Sequence, residues 1–154
     1  MQRLRIQQET CFNETSRLAA EMKTHGDVIA VSVIDSYRNL PQKLKATYEW
    51  ALANTQAQWF VKTDDDSVVR VDLLEKYLVA TYDASHHVVV GHIARGWGVL
   101  RAGQWKETKY PYKNYPPFPV GSYGHCVSRP VAEYIVKNKD SLTDYQGEDT
   151  SLGI

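Results

Sequence analysis

The stretch Trp59-Phe60-Val61-Lys62-Thr63-Asp64-Asp65-Asp66 decides how the chain is read. An apolar run rich in aromatic and β-branched residues, which favour a buried strand, stops at three adjacent carboxylates. Neighbouring anions repel, so such a cluster is costly unless a cation neutralises it. In a strand-like backbone Asp64 and Asp66 point one way and Asp65 the other. Two carboxylates on one side form a hard, all-oxygen site suited to Mg²⁺ or Mn²⁺. Lys62 adds a cation that can meet a phosphate or offset the acids. The plainer alternative is a solvated acidic turn, since exposure is the rule for these side chains. An EF-hand is excluded: counting from Asp64, Val68 and Val69 occupy loop positions that need an oxygen ligand and a glycine. The end of a buried strand is where open α/β sheets bind ligands, which favours the metal reading.

Working outward, the segments on either side alternate in type. Residues 3–24 read as a helix ended by Gly26. Residues 27–34 are a nearly continuous β-branched run, expected to be a strand buried on both faces. A polar turn at 35–39 leads to a helix from Pro41, with Leu44, Thr47, Tyr48, Ala51 and Leu52 on one face. Strand, helix, strand implies a right-handed crossover between parallel strands. Beyond the aspartates, Asp72 and Glu75 have capping-box spacing, ahead of a stripe of Leu74, Tyr77, Leu78 and Thr81. His87–Ile93 reads as a third strand. Gly96–Trp105 is hairpin-like. Residues 110–119 hold four prolines and three tyrosines and read as an ordered loop. Val120–Ser128 reads as a strand-like return. Ser128 is expected to cap a helix running to about Asn138, and Gly147–Thr150 to open a last one. The fold expected is a single α/β domain with a mostly parallel sheet (27–34, 57–62, 87–93) and helices on both faces.

Composition narrows the classes. A chain of 154 residues suits one domain with a core, and Lys+Arg and Asp+Glu are both 18, so bulk attraction to nucleic acid or membrane is not indicated. No apolar run approaches the roughly 20 residues of a membrane span, and no secretory leader is visible. Cys11 and Cys126 can pair once or both be free. Asn13-Glu14-Thr15 is an N-glycosylation triplet.

Two further groups carry chemistry. Trp97, Trp105, Tyr112, Tyr115, Phe118 and Tyr123 fall in one Gly- and Pro-rich segment. Aromatics with a polar tip suit a sugar ring, or they fill the core beneath a long loop. Glu148-Asp149 at a helix start either caps the helix through its dipole or, held rigidly near the first acidic site, takes a proton from a hydroxyl.

Taken together, these motifs resemble the β-1,3-galactosyltransferase (Galactosyltransferase) family of inverting glycosyltransferases. The matching pieces are Gly26-Asp27-Val28-Ile29, Asp35–Leu40, Lys62–Asp66, Tyr115–Phe118 with Gly121-Ser122, and Gly147-Glu148-Asp149, in the family's order from about Glu21 onward. The run Tyr145–Ile154, with Tyr37-Arg38-Asn39, most resembles the β-1,3-N-acetylgalactosaminyltransferase 2 branch.

The resemblance implies a GT-A-like, Rossmann-type α/β sheet, incomplete at both ends, with residues 1–154 forming part of a catalytic domain. It implies transfer of a hexose or N-acetylhexosamine from UDP-GalNAc or UDP-Gal to a glycan or glycoprotein acceptor, with inversion and Mn²⁺ dependence. By the same resemblance Asp66 and Asp64 bind the metal, and Lys62, Asp64 and Asp65 face the nucleotide sugar. Trp97, Trp105, Tyr115, Gly121, Ser122 and Glu148 surround the donor or acceptor sugar, and Asp149 is the base. The Golgi or endoplasmic reticulum lumen is implied, with this segment soluble and its parent a single-pass type II membrane protein. Family members have strands before Gly26 and a His ligand beyond Ile154, so a fragment of a longer transferase is expected. Gly121-Ser122-Tyr123-Gly124-His125 departs from the family's Gly-Ser-Gly-Tyr pattern by an apparent one-residue insertion, and Val120 replaces its usual cysteine. A non-catalytic sugar- or partner-binding relative, and a metal-dependent phosphotransferase, remain alternatives. The second lacks a glycine-rich phosphate loop.

Overall fold

In a computed structural model, the backbone is described for residues 2–154 and side chains from Glu14 onward. The expected sequon at Asn13 and any pairing of Cys11 lie outside the described side chains. The chain divides into two compact units, residues 1–31 and 32–154.

The first unit holds α1 (Gln2–His25), which ends where Gly26 adopts φ +69°. Positive φ costs glycine least, and this is how the helix stops. Residues 27–34 are not a strand, contrary to the expectation. β-branched residues fit a pleated, half-buried surface, but a strand also needs a ladder partner. None of the described residues supplies one, and Ile29 and Ile34 are 46% and 81% exposed.

The second unit is mixed α/β. A 3₁₀ turn at Tyr37–Asn39 feeds α2 (Leu40–Asn54), with Pro41 in its first turn. Then come β1 (Trp59–Lys62), α3 (Val71–Thr81), β2 (Val89–Gly91) and β3 (Ile93–Ala94). After a long loop come β4 (Phe118–Pro119), β5 (His125–Ser128), α4 (Arg129–Lys137) and α5 (Glu148–Gly153). The main sheet has the order β1-β5-β2, and β3 pairs with β4 in a second, two-stranded sheet.

The parallel sheet is therefore corrected. β5 lies between β1 and β2 and runs antiparallel to both. β1 and β2 still share a direction, as a strand–helix–strand unit requires, but they are not neighbours. The expected strand at 87–93 is also divided, its second part leaving to pair Ile93 with Pro119 and Ala94 with Phe118.

In register, Phe60 faces Val127 and Val127 faces Val89. This row packs under Tyr48 of α2 and Ala132 of α4, with Val127 and Ala132 fully buried. The same alternation puts Lys62 and His125, also paired, on that face at the end of the sheet. On the other face Val61 is 47% exposed while its partner Cys126 is buried, so that face is covered only in part.

Capping also differs from the expectation. Arg70, not Asp72, precedes α3, and the two form a bidentate ion pair at 2.9–3.0 Å. Tyr77 and Thr81 of the expected stripe are exposed, as is Thr47 of α2. Ser128 precedes α4 without capping it. Its hydroxyl donates to the His86 carbonyl and accepts the Val88 N–H, tying β5 to the segment before β2.

Candidate functional site

Where β1 ends, Ser67 N–H donates to the Asp64 carbonyl at 3.2 Å and closes a turn over the three aspartates. The strand alternation stops before them, so it does not place Asp64 and Asp66 on one side, contrary to the expectation. Asp64, Asp65 and Asp66 are all exposed. The Lys62 ammonium is bonded to Asp64 Oδ1 at 2.6 Å and to Glu148 Oε1 at 2.9 Å. One cation thus joins the two acidic motifs. Burial pulls the Lys62 ammonium down, but its hydrogen bonds to Asp64 and Glu148 outweigh this and raise it above its ordinary value.

Glu148 and Asp149 open α5 behind Gly147. Glu148 is buried. Asp149 Oδ2 accepts the Gly121 N–H at 3.0 Å, and Oδ1 accepts the Thr150 N–H at 2.7 Å. Burial raises the Asp149 carboxyl above the ordinary range. The two N–H bonds oppose this, the charge of Glu148 adds to it and that of Lys62 opposes it. A Cβ on Gly121 would stand 3.2 Å from Asp149 Oδ2 and 3.3 Å from Glu148 Oε1. Glycine there lets the backbone approach both acids.

Gly121–Tyr123 form a 3₁₀ turn, and Gly124 takes φ +70° before β5 begins. A Cβ at Gly124 would sit 3.0 Å from the Lys62 carbonyl oxygen, a second reason for glycine. His125, next along, is buried with neither ring nitrogen bonded among the described residues. Burial first, and then the nearby Lys62 charge, push it down to about 4, so it is neutral near pH 7.

Asp64, Glu148 and Asp149 line one cavity of about 770 Å³. Trp97, Trp105, Tyr115, Gly121 and Ser122, the residues that the resemblance places around a sugar, line it too, with Phe118 beside them. Lys62 reaches the cavity only through its two carboxylate partners, and Asp65 and Asp66 do not line it. Tyr112 and Tyr123, 67% and 71% exposed, do not line it either.

Tyr37 and Gln146 are additions that sequence reasoning missed. Tyr37 packs on Trp105 with ring centroids 4.8 Å apart, and burial and the charges of Glu148 and Asp149 raise its phenol. Arg38 donates to the Gln146 side chain at 3.0 Å. The signal was present, since Tyr37-Arg38-Asn39 and Tyr145–Ile154 carried the resemblance without a site role being given to Tyr37 or Gln146.

Among the described residues no three His, Cys, Asp or Glu side chains form a ready metal cage. The acidic turn nonetheless fits a hard divalent ion. Its carboxylates are exposed, Asp65 and Asp66 enter no ion pair among the described residues, and such ions are commonly held by one or two carboxylates plus substrate phosphates.

The Galactosyltransferase family profile matches residues 8–154. The chain belongs to the galactosyltransferase family. It is 35% identical over 152 residues to the UDP-GalNAc:beta-1,3-N-acetylgalactosaminyltransferase 2 of Danio rerio, covering 99% of this chain and 31% of the relative. The Homo sapiens protein of that name is 34% identical over 141 residues, 92% of this chain and 28% of the relative. A hydroxyproline O-galactosyltransferase of Arabidopsis thaliana is 30% identical over 141 residues, 89% of this chain and 20% of the relative. The chain thus spans a fifth to about a third of the length of these relatives. No helix of the described residues is long and apolar enough to cross a membrane.

Proposed function

We propose that this galactosyltransferase-family chain carries the metal-binding turn, the sugar-facing wall and the catalytic base of an inverting, UDP-sugar-dependent transferase of GT-A-like fold. The observation that carries this is the meeting of Asp64, Glu148 and Asp149 at one cavity whose wall includes Trp97, Trp105 and Tyr115. Acids alone would suit many ions. Acids and aromatic rings lining one cavity suit a sugar joined to a metal-bound phosphate.

Asp149 acts as the general base. It takes the proton of the acceptor hydroxyl while that oxygen attacks the anomeric carbon, and the bond from that carbon to the diphosphate oxygen breaks on the opposite face. A carboxyl raised by burial is a stronger base than an exposed one, so it is suited to this step. Trp97, Trp105 and Tyr115 receive the sugar's apolar faces, while Gly121 and Ser122 leave space for its hydroxyls. Asp64 faces the nucleotide sugar, and Lys62 acts on it through Asp64 and Glu148. Lys62 holds Glu148 and Asp64 together without mutual repulsion. Asp66 and Asp64 would hold Mn²⁺, which supplies charge neutralisation to the departing diphosphate.

UDP-GalNAc or UDP-Gal is the donor and a glycan or glycoprotein the acceptor, in β-1,3 linkage. The names of the relatives support this choice. The compartment is the Golgi or endoplasmic reticulum lumen, with the parent chain anchored as a type II membrane protein.

The test is UDP release and sugar transfer by the full-length protein with each donor, together with calorimetry of UDP binding. Mn²⁺-dependent UDP binding that weakens at least tenfold in Asp66→Ala is expected. Equal binding by wild type and Asp66→Ala would remove the metal role. Glycan binding without nucleotide binding or transfer would favour a non-catalytic relative.

A further inference from the structure

Glu107 is the largest fully buried side chain among the described residues, 2% exposed, and the transfer chemistry above does not use it. A buried carboxylate is costly unless its oxygens are satisfied. Here they are satisfied by two separate segments. Oε1 accepts the N–H of Lys109 and, at 3.2 Å, that of Tyr110. Oε2 accepts the N–H of Gln146 at 2.6 Å, 39 residues further along the chain. Burial pushes the carboxyl up, yet the backbone N–H groups of Lys109, Gln146, Tyr110 and Thr108 more than offset this and hold it below the ordinary range. The group is an anion held by backbone dipoles.

Two more contacts join the same segments. Lys109 Nζ donates to the Asp144 carbonyl at 2.8 Å, and the Tyr110 ring meets Tyr145 edge-on at 5.4 Å. Gln146 is followed at once by Gly147, Glu148 and Asp149. Whatever fixes Gln146 therefore fixes the start of α5 and the carboxylate that faces the cavity.

We infer that Glu107 is a positioning residue, a buried clamp that binds the Gln146–Asp149 turn to the aromatic loop and so sets where Asp149 stands relative to a sugar in the cavity. The inference rests on the transferase reading above. It requires a carboxylate of this length. Glutamine would turn an NH₂ donor toward backbone donors, leaving the network partly satisfied. Aspartate would keep the charge and the near Lys109–Tyr110 turn but would fall short of Gln146.

The test uses Glu107→Gln and Glu107→Asp in the full-length protein. Amide hydrogen exchange reads the clamp without substrate, and turnover at saturating donor with UDP calorimetry reads its consequence. Glu107→Gln is expected to speed exchange at both 108–110 and 145–149. Turnover should fall about 10²-fold, the scale of an ångström-level misplacement, with UDP affinity within about twofold. Glu107→Asp is expected to speed exchange at 145–149 only, with turnover again reduced. Unchanged exchange at 145–149, or faster exchange there with wild-type turnover, would overturn the inference. So would equal losses of turnover and UDP binding in both variants, which a merely structural role predicts. A wild-type protein that transfers no sugar would instead overturn the transferase reading, and exchange at Gln146 would then decide the clamp by itself.

Discussion

Lys62 stands between Asp64 and Glu148, and its loss would leave the buried Glu148 carboxylate without its cation. Breaking such a pair from one side is far costlier than replacing both members, on the order of 3 kcal/mol. Lys62→Met is therefore expected to lower the denaturant midpoint strongly, and Lys62→Met with Glu148→Gln to recover part of the loss. Beside it, His125 gives a pH signature. Its folded value of about 4 lies below the ordinary 6.5, so the unfolded chain binds the extra proton as pH falls between them. Stability is full above about 6.5 and declines toward 4, by about 3 kcal/mol for the whole interval. His125→Phe should flatten that slope in denaturant titrations at stepped pH. An unchanged slope would place the acid sensitivity elsewhere. Asp149 moves the other way. Its raised carboxyl needs a higher pH than an exposed aspartate to ionise, so the acid limb of the turnover profile should lie above the ordinary carboxylate range.

Among the elements, most were legible in the sequence because local patterning settled them. β1 stopped at the acids as its composition implied, and Pro41 and Gly26 marked helix ends correctly. The errors share a physical origin. A β-branched run at 27–34 promised a strand, but strand formation depends on partners that local composition does not reveal. β5 entered between β1 and β2 from about 60 residues downstream, so adjacency could not be inferred from the alternation of strand and helix. Ser128 had the residue type of a cap, yet a non-local partner took its hydroxyl. The centre of the sheet offers a check. Val127→Ala, at a fully buried position facing Phe60 and Val89, should cost about 2 kcal/mol in equilibrium unfolding. At the site, Gly121→Ala retains the N–H that Asp149 accepts but crowds both carboxylates. Turnover should fall about tenfold or more with UDP binding little changed, measured by steady-state kinetics beside calorimetry.

For the molecule as a whole, the order of motifs carried the family assignment, and the profile match over residues 8–154 bears it out. Residues singled out in the sequence form part of the cavity wall: Trp97, Trp105, Tyr115, Gly121, Ser122, Glu148 and Asp149. The sequence could not name Glu107 or Gln146, because a carboxylate's burial and a backbone N–H partner depend on how distant segments meet. The central claim is that Asp149 does chemistry as well as opening α5. Asp149 lies inside α5, behind Gly147, and asparagine keeps its size but can accept only one of its two N–H bonds, so unchanged UDP affinity in Asp149→Asn is the check that the turn still stands. The decisive measurement is sugar transfer at saturating UDP-sugar by Asp149→Asn in the full-length protein, with UDP affinity measured alongside. A base predicts turnover reduced by roughly 10²–10⁴-fold at unchanged UDP affinity. Near-wild-type turnover would contradict the account and leave Asp149 as no more than part of a helix end.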